Sequence, residues 1–276
     1  MNNSNARQRL LFVTNLAHED RSEDLFLADR LANEWDVTIA AANDAAKIAE
    51  AGGYWIALIR NAWPSFEFDP AFSVLELLVR EGKLKTYNPP STSRGFHENK
   101  AYLLDLYMAG YPVIPTFESV AALTAAQPAW AENALYKPLN SCSSIGLMAG
   151  PAEELPDSKG IYQPWVDFEH EVSLFFIDNQ FAYAVRSASH SKRWNLQEFQ
   201  PSAEDLAWAQ KFVDWNALPY GIQRIDGGRT KSGRLLLTEV EDFLPCLTLD
   251  VLAPERRDDI VDRLLASVRW HLLNPN

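Results

Sequence analysis

The chain has 276 residues, of which 47% are hydrophobic and 22% charged, and its formal net charge at pH 7 is −12. Such a chain can bury the core of one large globular domain or of two closely apposed ones. The negative charge argues against nucleic acid or an anionic membrane surface as the main partner. Cys142 and Cys246 lie far apart without metal-ligand spacing, so neither a disulfide framework nor a zinc site is expected.

No apolar run approaches the roughly 20 residues that a membrane-spanning helix needs. The first apolar segment, residues 10–13, is too short for the core of a signal peptide and is interpreted as a first strand. A cytoplasmic location is therefore the default expectation.

Strand and helix patterns alternate through the first ninety residues. Strands are predicted at 10–13, 37–41, 54–59 and 83–87, and helices at 23–35, up to 51, and at 70–80. This alternation predicts βαβ units and a parallel sheet, which binds ligands at the carboxyl ends of its strands. Residues 60–63 follow one such strand end, and Asn88 follows another.

A proline-rich segment at 88–93 marks the best boundary, because adjacent prolines stop both helices and β-ladders. Beyond it the predicted pattern becomes mainly β, so the first part is predicted as α/β and the second as α+β with antiparallel strands. The predicted helices are 98–108, 119–126, 203–215 and 254–273. The predicted strands are 111–116, 135–138, 161–166, 172–177, 181–186, 220–226 and 235–241.

Charged residues recur at alternate positions on the last two predicted strands. Residues i and i+2 of a strand face the same side, so Glu239 and Glu241 project together, as do Arg224 and Asp226. The turn-rich residues 227–234 between them predict a hairpin that brings the three carboxylates together. Clustered carboxylates repel one another unless a cation lies among them, and hard oxygen ligands favour Mg²⁺. The alternative is a solvated hairpin with alternating charges.

Two lysines and one loop have the character of a phosphate site. Lys100 is predicted in the first turns of the helix at 98–108, and Lys137 stands on a strand that enters the small-residue loop 140–146. Lysine, loop N–H groups and the hydroxyls of Ser143 and Ser144 are suitable phosphate donors. Either lysine could equally be solvated.

A proline interrupts the strand at 162–166 beside a bulky apolar pair. Backbone groups at such a break can bind an adenine edge, and the apolar side chains can sandwich the ring, while Glu169 and Glu171 offer acceptors for ribose hydroxyls. A buried strand followed by a polar turn is the alternative. The basic segment 187–194, which includes His190, is either a substrate loop or a solvated connection.

In this order the segments resemble the ATP-grasp superfamily, and within it the glutathione-synthetase-like ligases, including the cycloserine-type cyclo-ligase group. The resemblance implies an ATP-grasp fold. It has an N-terminal parallel α/β (pre-ATP-grasp) domain at 1–90, a lid and central subdomain at 91–166, and a C-terminal antiparallel-sheet subdomain at 167–276. The matching segments are Asn99-Lys100, 110–116, Tyr136-Lys137-Pro138, 163–166, 171–174 and Arg224-x-Asp226 … Glu239-x-Glu241.

The resemblance also implies an ADP-forming ligase that joins a small-molecule carboxylate to an amine through an acyl phosphate, using ATP and Mg²⁺ or, as a substitute, Mn²⁺. Two departures are Glu241, where many relatives have Asn, and a lid loop rich in Ser rather than Gly. A small-molecule kinase and a non-catalytic nucleotide-binding protein stay open, as does the choice between monomer and homodimer. The implied roles are phosphate binding by Lys100, Lys137, Ser143 and Ser144, adenine binding by Gln163, Trp165 and Val166, ribose binding by Glu171, metal binding by Asp226, Glu239 and Glu241, and acyl-phosphate stabilisation by Arg224 and Arg186.

Overall fold

The computed structural model describes residues 7–17, 21–54, 56–62, 64–88, 90–94, 99–189, 192 and 194–274. Within these ranges the chain forms three β-sheets, and they follow one another along the sequence. Among the same residues, no helix is both long and apolar enough to cross a bilayer.

The first sheet is parallel, as predicted, with the strand order β2-β1-β3-β4. All four residues of β3 are buried, as is typical of parallel strands that helices cover on both faces. Helix α1 ends at Leu31, four residues before the predicted end, and Trp35 follows it in a turn. The elements are β1 (Arg9–Val13), α1 (Arg21–Leu31), β2 (Asp36–Ala40), α2 (Ala42–Glu50), β3 (Ile56–Ile59), α3 (Asp69–Arg80) and β4 (Lys85–Tyr87).

Two short helices, α4 (Tyr102–Met108) and α5 (Val120–Ala126), follow the first sheet. The strand predicted at 111–116 is wrong: Val113 forms only an isolated bridge to Leu237. Pro112 and Pro115 have no N–H to donate to a β-ladder, which explains why the segment stays irregular.

The second sheet is antiparallel and small, with the order β6-β5-β7. Tyr136 and Tyr162 from this sheet pack with Leu123 of α5 in a separate core cluster. The sequence pattern does not reveal β6, because Met-Ala-Gly carries no strand periodicity. The strands are β5 (Ala134–Pro138), β6 (Met148–Gly150) and β7 (Gly160–Pro164).

The third sheet is antiparallel, with the order β10-β9-β8-β11-β12, and α6 (Ala203–Asn216) packs on one of its faces. Strand β11 continues four residues beyond the predicted end. It passes through Gly227 and Gly228, where a Cβ atom would lie 2.5 Å from the Trp208 ring and 2.4 Å from the Phe168 ring. The strands are β8 (Phe168–Ile177), β9 (Gln180–Ser187), β10 (Leu196–Glu198), β11 (Ile222–Thr230) and β12 (Leu235–Glu241).

The last helix, α7 (Pro254–Leu273), has the predicted bounds and packs back onto the beginning of the chain. Val261 and Val268 share one core cluster with Phe12 of β1 and with Tyr183 of β9. The first and third sheets are therefore joined by one continuous core, which holds the space between them in a defined shape. The domain limits at 90/91 and 166/167 stay predictions.

Asn88 ties the end of the parallel sheet to the antiparallel one. Its amide nitrogen donates to the carbonyls of Ile222 (2.6 Å) and Asp242 (2.7 Å), and its Oδ1 accepts the N–H of Ile222 at 2.8 Å. The residue has a φ of 55°, a left-handed conformation that Asn tolerates better than most residues. One buried side chain thus satisfies the backbone of β11 and the residue after β12.

We expect Asn88→Ala to lower the free energy of unfolding by about 2–4 kcal/mol, because it leaves buried backbone groups unpaired and strains the left-handed backbone. Asn88→Gly loses the same hydrogen bonds without the strain, so it should be less destabilising by about 1 kcal/mol. Urea denaturation measures both values, and Asn33→Ala, at an exposed position, is the control. Equal stability of the Ala and Gly variants would contradict this assignment.

Candidate active site

The described residues form a cavity of about 1110 Å³ that strands of the second and third sheets line. Its wall combines β5 and the following loop, β8, the paired strands β11 and β12, the segment after β12, and the first turns of α1 and α7. The segment that follows β3 also reaches it, at Ser65. Segments from distant parts of the chain thus contribute to one cavity.

The register between β11 and β12 concentrates charge on this wall. Asp226 lies opposite Glu239, and Arg224 lies opposite Glu241. Because side chains alternate across a strand, these four residues share one face, while Ile225 between them is completely buried in the core on the other face. The register thus places the three carboxylates on one face of the hairpin, while their joint binding of a metal stays a prediction.

Arg224 and Lys100 each hold one of these carboxylates. The Arg224 guanidinium grips Asp226 as a fork, with Nε 2.9 Å from Oδ1 and Nη2 2.8 Å from Oδ2, and it lies 3.7 Å from a Glu241 oxygen. Its Nη1 donates to the Cys246 carbonyl at 3.1 Å. The Lys100 ammonium forms an ion pair with Glu239. Glu241 is left as the carboxylate with the most distant cation.

A backbone hydrogen bond, and not a helix, positions Lys100. It stands before α4, so the prediction that it lies in the first turns of a helix at 98–108 is wrong; Glu98 is outside the described residues. The Lys100 N–H donates to the Leu139 carbonyl at 2.7 Å, which anchors it beside the end of β5. Lys137, on β5 itself, also lines the cavity.

The two glutamates have opposite electrostatic surroundings. Burial opposes the ionisation of Glu239, but Lys100, Lys137 and Arg224 outweigh it and lower the pKa of this carboxyl group. Burial, followed by repulsion from Glu239, raises the pKa of Glu241 to about 8. Glu241 is therefore mostly protonated at neutral pH, and an additional cation beside it would favour its charged form.

A divalent metal fits this donor set only with some rearrangement. Among the described residues, no group of three or more His, Cys, Asp or Glu side chains converges on a metal position. Mg²⁺ commonly binds one or two carboxylates and completes its coordination shell with phosphate oxygens and water. Glu239 and Glu241 could supply the carboxylates. Asp226 has both oxygens engaged by Arg224 and would join only by releasing one of them.

The loop after β5 lines the cavity with Ser141, Cys142, Ser143 and Ser144. Ser143 and Ser144 have φ values of 48° and 63°, which are conformations that glycine adopts without strain. These serines therefore have the backbone shape expected of a glycine-rich loop and add two hydroxyl groups. The predicted loop residues are placed on the cavity wall.

The strand end proposed for adenine is placed on the wall in part. Trp165 and Val166 line the cavity, and so does Glu171 on β8. Gln163 does not: it is completely buried, its Nε2 donates to Thr116 Oγ1 at 2.9 Å, and its Oε1 has no partner. Gln163 was predicted to line the pocket, but its side chain lies behind the cavity wall.

Arg186 lies on the wrong face of the antiparallel sheet to act with Arg224. It is registered with Val172, whose side chain belongs to the core on the far face, while its neighbour Val185 is registered with Ser173 and lines the cavity. The Arg186 guanidinium lies 6.0 Å from the Phe199 ring centroid. The structure therefore does not bring Arg186 to the cavity beside Arg224, because successive side chains of a strand point to opposite faces.

Two cavity features, Glu23 and Arg257, had no clear sequence signal, whereas a third, Trp194, belongs to the predicted substrate segment 187–194. Glu23, at the start of α1, accepts N–H groups of Leu247 (2.9 Å) and Leu249 (3.1 Å) and pairs with Arg60 at 2.9 Å. These contacts fix the segment after β12 against the carboxyl end of β3. Arg257 and the exposed Trp194 also line the cavity. His190, of the predicted substrate loop, and Trp63, after β3, lie outside the described residues.

Neither a protein-family model nor a curated protein matches this sequence. Solved structures do match the fold. D-cycloserine synthetase is 20% identical, with a TM-score of 0.69, over 93% of this chain and 99% of that one. The ATP-grasp ligase PsnB, complexed with a variant of its minimal precursor, Mg and ADP, is 13% identical with a TM-score of 0.67, over 96% and 100%. D-alanine–D-alanine ligase from Bacillus anthracis, complexed with ATP, is 13% identical with a TM-score of 0.65, over 96% and 97%.

These likenesses extend over nearly the whole length of each chain and share one architecture. The protein has the ATP-grasp fold, and the fold class predicted from its ordered segments is confirmed.

The raised pKa of Glu241 makes the stability of the ligand-free protein depend on pH. A carboxyl group whose pKa rises on folding from 4.5 to about 8 stabilises the native state below pH 4.5, and this contribution is lost as the pH rises through 8. We expect Glu241→Gln to gain stability relative to wild type as the pH increases from 4.5 to 9. Urea denaturation across this range tests it, with the exposed Glu118→Gln as control. Parallel pH profiles for wild type and Glu241→Gln would contradict the assignment.

Proposed function

We propose that this protein is an ATP- and Mg²⁺-dependent ligase that joins the carboxylate of a small amino-acid-like or peptide substrate to an amine, forming ADP and phosphate. The observation that carries the proposal is the wall formed by Arg224, Asp226, Glu239 and Glu241, which shares one cavity with Lys100 and Lys137. Cations for phosphates and hard oxygens for a metal thus occur together beside space for substrates.

The phosphates would lie between the two lysines and the serine loop. Lys100 and Lys137 supply positive charge, and Ser143 and Ser144 supply hydroxyl and N–H donors. Trp165 and Val166 would enclose the adenine, with Glu171 accepting from the ribose hydroxyls. In this account the Lys100 ammonium exchanges Glu239 for a phosphate oxygen when the nucleotide binds.

Glu239 and Glu241 would hold the metal, with Asp226 as a third donor. Mg²⁺ bound there, or Mn²⁺ in its place, would neutralise and orient the phosphate oxygens. A divalent ion would replace Lys100 as the partner of Glu239, so this carboxylate would have a positive partner both before and after the nucleotide binds. The ion would also relieve the repulsion that raises the pKa of Glu241 in the ligand-free protein.

The proposed reaction has two steps. A substrate carboxylate oxygen attacks the γ-phosphorus, the bond to the β-phosphate oxygen breaks, and ADP leaves. The amine nitrogen then attacks the acyl carbon, the bond to the phosphate oxygen breaks, and the nitrogen loses a proton. Arg224, whose guanidinium is held by Asp226, would donate N–H groups to the oxygen that becomes negative in the tetrahedral intermediate.

The names of the structural neighbours support a substrate of this class. One is a D-cycloserine synthetase, one is a D-alanine–D-alanine ligase, and others are described as ligases in complex with precursor peptides. Amino acids and peptides are therefore the first compounds to test.

Release of ADP from Mg²⁺-ATP should require a carboxylic acid and an amine, supplied together or within one molecule. A panel of D- and L-amino acids and dipeptides, assayed singly and in pairs, tests this, with mass spectrometry of the products. ADP release with one hydroxyl compound and a stable phosphorylated product would indicate a kinase. Absence of nucleotide binding by calorimetry would contradict any ATP-dependent function.

The two arginines provide a matched pair of variants. We expect Arg224→Gln to reduce kcat by about a hundred- to a thousandfold, as for loss of a donor to a developing negative charge. Arg186→Gln, which removes the same charge from the far face, should retain activity within about threefold, since surface changes away from a site have small effects. Equal losses in both variants, measured below their unfolding temperatures, would contradict this placement.

A further inference from the structure

Arg257 is a charged residue of the cavity wall to which the proposed function assigns no role. It lies in the first turn of α7 and lines the cavity together with Phe26 of α1. This part of the wall belongs neither to the β11–β12 pair nor to the serine loop. It is also distinct from the strand end assigned to adenine.

Among the described residues, four cationic ones line the cavity: Lys100, Lys137, Arg224 and Arg257. Lys100 is paired with Glu239, Arg224 is paired with Asp226, and Lys137 helps to lower the pKa of Glu239. The Arg257 guanidinium differs, because it donates no hydrogen bond to any described residue and forms no ion pair with one, and its buried Nε has no partner.

The other arginines of α7 show that this state is unusual for the helix. Arg256 donates to Glu198 (3.2 Å) and to the Ala182 carbonyl (2.8 Å), Arg263 donates to the Phe181 carbonyl (2.9 Å), and Arg269 donates to Glu34 (2.7 Å). A guanidinium nitrogen that is buried without an acceptor costs free energy. An acceptor that is supplied by a ligand removes this cost.

Phe26 restricts the directions from which a ligand can approach the Arg257 guanidinium. The Arg257 Cζ atom lies 4.9 Å from the Phe26 ring centroid, so the ring backs the guanidinium on one side. The planar fork of an arginine matches the two oxygens of a carboxylate, which can form two parallel hydrogen bonds with it. The site is therefore suited to a small planar anion.

The surrounding wall favours a carboxylate over a phosphate. The exposed Asp250 lines the cavity as well, as does Glu23, whose charge is paired with Arg60. Repulsion from Asp250 would be greater for a doubly charged group than for a singly charged one. An amino acid carries one negative and one positive group, so its carboxylate can meet Arg257 without adding net negative charge to the cavity.

We propose that Arg257 binds a free carboxylate of the substrate other than the one that is activated, as is carried by an amino acid that serves as the amine donor. This inference rests on the proposed ligase function and adds a substrate class to it. The recognition is bidentate, through the guanidinium fork, and lies outside the nucleotide site.

Calorimetry with Mg²⁺ and a nonhydrolysable ATP analogue tests the location. Arg257→Gln should bind the analogue within about threefold of wild type, like the control Arg256→Gln, whose side chain pairs with β9 and β10 instead. A loss of tenfold or more in Arg257→Gln alone would place the residue at the phosphates and overturn the inference.

A panel of D- and L-amino acids and their amides, titrated in the presence of the same analogue, tests the chemistry. For the amino acid that binds wild type best, both amidation and Arg257→Gln should weaken binding by about ten- to a hundredfold, as expected for a charge-assisted pair. Amidation should cost Arg257→Gln little more, because the two changes remove the same contact. Arg257→Lys should fall between wild type and Arg257→Gln, since it retains the charge and loses the fork.

Equal affinity for acids and amides, unchanged affinity in Arg257→Gln, or no binding of any amino acid to wild type would overturn the inference. Its failure is distinguishable from failure of the proposed function. A protein that releases ADP with an amino acid pair, but whose KM values do not change in Arg257→Gln, would keep the ligase function and lose this assignment. Arg257-dependent binding without ADP release would do the reverse.

Discussion

The register of β11 against β12 is the constraint on which the rest of the site depends. It sets Asp226 opposite Glu239 and Arg224 opposite Glu241, so that three carboxylates and one guanidinium share a face of the sheet. Three carboxylates this close, and partly buried, would repel one another strongly without compensation. Lys100, which a backbone hydrogen bond to Leu139 holds in position, supplies a second positive charge beside these carboxylates. These two cations do not fully offset burial and the repulsion between the carboxylates, and the pKa of Glu241 is raised as a result.

This balance relates stability to ligand binding. In the ligand-free protein Lys100 is paired with Glu239, and in the proposed function a nucleotide and its metal would replace this pair. The walls around them do not need to be rebuilt, because Asn88 joins the parallel sheet to β11 and Glu23 clamps the segment after β12. Arg224 is the exception among the charges: its fork on Asp226 and its bond to the Cys246 carbonyl fix its orientation. A preorganised donor of this kind is what an acyl-transfer intermediate requires.

Sequence reasoning succeeded where a single local rule decides the outcome. Alternation along one strand assigned Glu239 and Glu241 to one face, and the ordered segments indicated the ATP-grasp fold that the solved structures show. It failed where the outcome depends on tertiary context. Arg186 was one residue out of phase with the cavity face, which only the pairing of β8 with β9 decides. Gln163 satisfied the pattern of a pocket residue, yet Thr116 holds it behind the wall. Arg257 resembled the other arginines of the last helix, and only the folded chain shows that it has no acceptor among the described residues.

The central claim is that a carboxylate of the substrate is activated by phosphorylation. Transfer of ¹⁸O tests it most directly: a carboxylic acid substrate labelled with ¹⁸O in its carboxylate is turned over with Mg²⁺-ATP and an amine, and the released phosphate is examined by mass spectrometry. The account predicts that each phosphate carries one ¹⁸O atom from the carboxylate, because the acyl–oxygen bond breaks when the amine attacks. Unlabelled phosphate formed together with ADP, or label retained in a stable phosphorylated product, would contradict it.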